Sequence, residues 1–213
     1  PRLLDLFCGA GGAAEGYVQA GFTVLGVDHC VQPHYPFAFV QCEALQYVKA
    51  HGHEFDVIHA SPPCQRWARG YNPYRLSYPD LLHPLRELIQ TFAQTRYVLE
   101  NVPGAPLLHP VWICGGGLGC ANARFQLHRH RGFESNVPLK GVACCKIRPL
   151  TLTVTGSGTP TGTWQKVGSV SLKEKQDVMG ISWMTHRELA QALPPAYTKW
   201  IGTQLRLAHV PTA

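Results

Sequence analysis

The sequence predicts one α/β domain: a parallel sheet with helices on both faces and a short insert near the C-terminal third. Three observations carry this. Short apolar runs alternate with helical patterns across the first hundred residues, the rhythm of βαβ units. Right-handed crossovers between such units place the ends of the runs on one sheet edge, where ligands bind. The length of 213 residues with 45% apolar content suits a single globular domain with room for a small insert.

The elements follow in order. Leu3 to Phe7 is an apolar run stopped by Cys8-Gly9-Ala10-Gly11-Gly12, and a helical pattern runs from Ala13 to Ala20, closed by Gly21. Thr23 to Val27 reads as a second strand ending at Asp28, and Phe37 to Gln41 as a third, followed by a helix from Ala44 to Ala50. Phe55 to Ala60 is a fourth strand, cut off by Ser61-Pro62-Pro63 because proline cannot continue a central strand. Leu81 to Gln94 reads as a helix and Tyr97 to Glu100 as a fifth strand. Composition shifts after Arg131. Residues 132–170 are rich in Thr, Gly, Ser and Pro and read as an insert of loops and short strands, dividing the chain into 1–131, 132–170 and 171–213. Helical patterns return at Leu172–Met179, Thr185–Leu193 and from Pro195 to about Leu207, the last with proline in its first turn.

Lys and Arg total 19 against 13 Asp and Glu, a net charge of +6 that suits a polyanionic partner or simply a basic surface. No run approaches the 18 or so apolar residues of a membrane span, and from Pro1-Arg2 followed by a strand pattern the expectation is that there is no secretory leader. The expectation is a cytoplasmic monomer with no membrane partner. Eight cysteines in a chain of this kind read as reduced thiols rather than a disulfide framework.

The strand–Gly9-Ala10-Gly11-Gly12–helix turn is of a nucleotide-binding type: glycines let the backbone approach a ligand at a helix N-terminus. Asp28, ending the next strand, can accept from ribose hydroxyls, and Glu43, after the third, can receive an adenine amino group. Each acid alone reads equally well as a loop or cap residue; together they point to an adenosine cofactor without a triphosphate, since no P-loop motif is present. Pro62-Pro63-Cys64-Gln65 holds Cys64 at the sheet edge beside this turn, a candidate nucleophile. Glu100-Asn101-Val102-Pro103 ends the neighbouring strand on the same edge. Arg129-His130-Arg131 supplies fixed cations able to lower the thiol pKa or bind a carbonyl oxygen; phosphate contact or a solvated face is the alternative reading. Gly115-Gly116-Gly117 reads as a tight turn rather than a phosphate loop.

These motifs, Leu4-Asp5-Leu6-Phe7-Cys8-Gly9-Ala10-Gly11-Gly12, Pro62-Pro63-Cys64-Gln65 and Glu100-Asn101-Val102, closely resemble the DNA (cytosine-5)-methyltransferases. Ile113-Cys114-Gly115-Gly116, Arg129 to Glu134, Leu172 to Gly180 and Gln191 to Pro195 continue the likeness in the family's order, over nearly all the chain but the insert. The short insert looks like that of small phage or bacterial orphan enzymes. Departures exist: Glu43 stands where the family usually has Asp, Ala190-Gln191 where it has Gly-Asn, and Gln126 lies one place early in the pattern around Arg129 and Arg131.

The resemblance implies a Rossmann-like S-adenosylmethionine-dependent methyltransferase sheet, and methyl transfer to C5 of cytosine in duplex DNA at a short recognition sequence. S-adenosylhomocysteine would be the product. Cys64 would add to C6 of a flipped-out cytosine, Glu100 would hold or protonate N3, Arg131 would contact O2 and Arg129 would brace the site. Phe7, Gly9, Gly11, Asp28, Glu43 and Pro63 would line the cofactor site, with Gln191 closing it. The loop from Gln65 to Asn72, with Arg66, Trp67 and Arg69, would meet DNA, as would Lys146, Arg148 and Lys166 of the insert. Rival readings are a tRNA cytosine-5 methyltransferase and a catalytically silent binding module. A zinc site among Cys114, Cys120, His128, His130, Cys144 and Cys145 has no standard ligand spacing, so no metal is expected.

Overall fold

The computed structural model describes residues 1–68, 73–144, 150–154 and 169–208. Within them the strands β1 (Arg2–Leu6), β2 (Thr23–Asp28), β3 (Ala38–Gln41), β4 (Val57–Ala60), β5 (Arg96–Asn101), β6 (Val111–Cys114) and β8 (His130–Ser135) form one sheet in the order β3-β2-β1-β4-β5-β8-β6. β7 (Gln126–Leu127) and β9 (Thr151–Leu152) pair in parallel as a separate small ribbon. The helices are α1 (Gly12–Gln19), α2 (Ala44–His51), α3 (Leu82–Gln90), α4 (Leu172–Met179), α5 (His186–Gln191) and α6 (Pro195–Leu207).

β3, β2, β1, β4 and β5 run parallel. The strand order reverses between β1 and β4, and in sheets of this kind ligands bind in the crevice beyond the carboxyl ends at that point. The two faces alternate as a doubly covered sheet requires. Leu3, Val24, Val57 and Val98 pack under α1 and α6, while Leu4, Leu6, Ile58 and Leu99 pack toward α2 and α3.

Three expectations need correction. The sheet is mixed, because β8 runs antiparallel to both β5 and β6. The expected start of the insert at Gly132 falls inside β8, whose register sets Glu100 against Phe133. The helix expected to reach Gln94 ends at Gln90, where the Thr91 hydroxyl donates to Leu88 O (2.7 Å) and competes with the helix ladder.

The helix signals are otherwise met locally. Capping boxes at Ser171/Glu174 and Thr185/Glu188 open α4 and α5, Gly180 ends α4 in the left-handed region, and Pro195 is the first residue of α6. No helix of the described residues is long and apolar enough to cross a membrane.

Candidate active site

The site grows from the switch point. After β1 the chain turns sharply: Phe7 (φ 58°), Gly9 (φ 49°) and Gly11 (φ 87°) are all left-handed. A Phe in that region is uncommon and marks a backbone held against its preference. A Cβ at Gly9 would meet nothing within 4 Å, so that glycine faces open space at the start of the turn. Gly12, by contrast, is needed for contact: its Cβ would lie 2.4 Å from Leu193 O. The Ala192–Leu193 segment thus rests on the N-terminus of α1 and brings Gln191, exposed at the end of α5, to the same edge. Trp183 Nε1 donates to Ala10 O (2.8 Å) and fixes the turn from above.

Asp28 lies at the carboxyl end of β2. Its Oδ2 accepts from Gly9 N (3.1 Å) and its Oδ1 from Cys30 N (3.0 Å), so the carboxylate shapes the glycine turn as well as facing the crevice. Glu43 precedes α2, exposed, with no side-chain cap hydrogen bond. Pro63 is exposed at the end of the β4 loop. Phe7, Gly9, Gly11, Asp28, Glu43, Pro63 and Gln191 therefore all lie at one edge.

Cys64 sits two prolines beyond Ser61, half-buried, and its carbonyl accepts from Trp67 N (2.9 Å) and Ala68 N (2.8 Å) in a tight turn. The Asn101 amide donates to Pro62 O (3.0 Å) and ties this loop to the end of β5. Beside it, Glu100 is buried and forms an ion pair with Arg131 Nε (3.0 Å). That Oε1 lacks a hydrogen bond of good geometry. Burial pushes the Glu100 carboxyl up, against the pull of Arg131, Ser61 and Arg129. Burial also pushes the Cys64 thiol up, with Glu100 acting in the same direction and Arg131 and Arg129 opposing. The arginines pull the Cys64 thiol down, as their charge allows, but desolvation outweighs them, and the resting group is a thiol.

Both terminal nitrogens of Arg129 bind backbone, while its Nε is buried without a partner among the described residues. Its guanidinium donates to Val154 O and to Ala190 O (3.1 Å), joining the end of the 150–154 segment to α5. The Arg66 guanidinium donates to Leu76 O (3.1 Å) and Tyr78 O (2.9 Å), holding its own loop together, while Gln65 is exposed. Arg69, Lys146, Arg148 and Lys166 lie outside the described residues.

The structure adds residues that the motifs did not single out. Tyr17 OH meets His59 Nδ1 (2.9 Å), and His59 Nε2 meets Ser61 Oγ (2.9 Å). Ser61 in turn hydrogen-bonds Glu100. Burial pushes His59 down to about 3, so its ring is neutral. With Glu100 ionised, one arrangement satisfies every member: Tyr17 donates to Nδ1, Nε2–H donates to Ser61, and Ser61 donates to Glu100. A polar residue inside an otherwise apolar run, His59 in Val57–Ala60, was the available signal.

No family model matches the chain. The type II methyltransferase M.AgeI of Thalassovita gelatinovora is 30% identical over a match covering 48% of this chain and 28% of that protein, so the likeness spans under a third of that relative. Among solved structures, a protein described as a DNA modification methyltransferase encoded within an E. coli prophage superposes with TM-score 0.63 at 15% identity, covering 97% of this chain and 98% of that one. The S. pombe Dnmt2 methyltransferase superposes with TM-score 0.58 at 12% identity, covering 97% and 98%. The fold is therefore the Rossmann-like one of these methyltransferases, and the sequence match falls on a methyltransferase as well.

Proposed function

We propose that the chain transfers a methyl group from S-adenosylmethionine to C5 of cytosine in duplex DNA. The observation that carries this reading is the meeting of Cys64, Glu100 and Arg131 at the switch-point crevice, with the glycine turn and Asp28 beside them. The methyltransferase relatives support the reaction class.

The residues fit the cofactor. The left-handed turn leaves open space at Gly9, while Gly11 packs under Tyr35 and Pro36 at the helix N-terminus; Asp28 keeps acceptor capacity for ribose hydroxyls beyond its two backbone bonds, and Glu43 is uncommitted by a cap. When bound, S-adenosylmethionine supplies an electrophilic methyl group to C5. The target base reaches Cys64 only when flipped out of the duplex. The Cys64 thiol proton passes to solvent as Sγ bonds to C6, which makes C5 enamine-like. Glu100, raised by burial, can hold a proton at N3 as charge develops there. Arg131, already aligned on Glu100, faces O2. After methyl transfer C5 loses its proton to a base, the C5–C6 double bond re-forms, and the Cys64–C6 bond breaks.

Transfer of labelled methyl groups from S-adenosylmethionine tests the reading with duplex DNA and tRNA as parallel substrates. Incorporation into duplex DNA at 5-methylcytosine is expected, with Glu100→Gln slowed by about 10²–10⁴-fold and cofactor affinity nearly unchanged. Incorporation into tRNA alone would transfer the mechanism to another substrate, and none into either would remove it.

A further inference from the structure

We propose that Cys114, His128, His130 and Cys144 form a structural zinc site that clamps the root of the insert. Their ligand atoms, two sulfurs and two imidazole nitrogens, all lie within 4.8 Å of one another. In a tetrahedral site with metal–sulfur bonds near 2.3 Å and metal–nitrogen bonds near 2.0–2.1 Å, neighbouring ligand atoms stand roughly 3.3–3.8 Å apart. The cluster needs only small side-chain adjustments to close around an ion.

Backbone pairing, not chance collapse, brings the four together. The antiparallel register of β6 and β8 sets Cys114 directly opposite His130. His128 stands two residues before His130, and the rings meet edge to face at 4.7 Å. His128 N donates to Leu152 O (2.9 Å), which fixes that end of the strand. The segment leading to Cys144 is held by Val142 N donating to Trp112 O (2.9 Å) and by a bridge between Ile113 and Val142. Gly117 is required for this approach, because a Cβ there would lie 2.2 Å from Ala143 O. Three chain segments therefore converge, with Cys114 buried, both histidines half-buried and Cys144 exposed, which leaves the ion a way in.

The donor set selects the metal. Two thiolates and two neutral imidazoles with no carboxylate favour a borderline-soft ion in tetrahedral geometry, and the two thiolate charges neutralise Zn²⁺. Binding releases the two thiol protons to solvent. All four coordination positions are taken by protein, so the site is structural. Its consequence is local: it ties together β6, β8 (which carries Arg131, with Arg129 just before it) and the chain entering the insert.

The test is metal analysis of the purified protein, followed by chelation and titration with Co²⁺. One equivalent of zinc per chain is expected. Co²⁺ should restore the stripped protein with the intense visible bands of a tetrahedral site and a near-ultraviolet thiolate-to-cobalt band. Cys114→Ser and His128→Asn should each lose these bands, whereas Cys120→Ser, on a cysteine outside the four, should keep them. Thermal melting of the unmodified protein should fall on chelation and recover with Zn²⁺, a readout that does not depend on a variant folding. Folded protein that binds neither Zn²⁺ nor Co²⁺, a Cys114–Cys144 disulfide in its place, or full binding by Cys114→Ser would overturn the proposal. Methyl transfer is not among the readouts, so the site stands or falls separately from the activity.

Discussion

His59 shows how a single buried side chain can serve the site and burden the fold. Its neutral ring links Tyr17 to Ser61 and, through Ser61, to Glu100. Burial lowers its pKa to about 3, whereas in the unfolded chain it titrates near 6.5. The unfolded state therefore binds the extra proton between those values, and the stability tied to the neutral ring is lost as pH falls from about 6.5 toward 3. At pH 5 the loss is about 2 kcal/mol relative to neutral pH. Urea midpoints at pH 7 and pH 5 should separate widely for the parent chain and much less for His59→Gln; equal separations would show that His59 is not the acid-labile group. Cys64 and Glu100 were legible because proline and strand ends mark the sheet edge in the sequence. His59 and Ser61 were not, because one side chain in an apolar run gives no sign of which neighbour it will meet across β1, β4 and β5.

At the scale of elements, α1 and α6 pack tightly against each other. A Cβ at Gly16 would lie 2.1 Å from both Pro195 O and Thr198 Oγ1, and the Thr198 hydroxyl donates to Ala13 O (2.8 Å). Gly16→Ala must push α6 away and should cost about 1–3 kcal/mol, the usual range for overpacking a tight contact. Because α6 follows directly on the Leu193 segment seated over Gly12, cofactor affinity should fall with it; denaturation midpoints and calorimetry with S-adenosylhomocysteine measure the two. A Gly16→Ala variant as stable as the parent would contradict the contact. Most helices were readable from caps and prolines, which are local signals. The antiparallel placement of β8 was not, since nothing in His130–Ser135 records strand direction; only its pairing with β5 and β6 does. The Cys114, His128, His130 and Cys144 cluster escaped spacing rules for the same reason: those rules describe ligands within one loop, and these come from three segments joined by β pairing.

For the whole molecule, the net charge of +6 frames how a long polyanion would be held. Lys146, Arg148 and Lys166 are the insert cations expected to meet DNA, and the small residues around them build little base discrimination. Affinity should therefore fall steeply with salt, by about 10³-fold or more between 50 and 200 mM if six or more phosphates are contacted. The recognised site should be about two to four base pairs, because few side chains are available for bidentate contacts. Fluorescence anisotropy across a salt series and genome-wide bisulfite sequencing check the pair; a flat salt response or a strict long site would count against them. The proposed function turns on one covalent step, and that step has a direct measurement. Duplex DNA carrying 5-fluorocytosine at the target is incubated with the protein and S-adenosylmethionine, and the products are separated under denaturing conditions and mapped by mass spectrometry. Fluorine cannot leave C5 as a proton does, so a stable adduct of chain and methylated DNA should accumulate with the DNA attached at Cys64, and Cys64→Ser should form none. An adduct at another residue, or methylation of ordinary duplex by Cys64→Ser at the parent rate, would contradict the account.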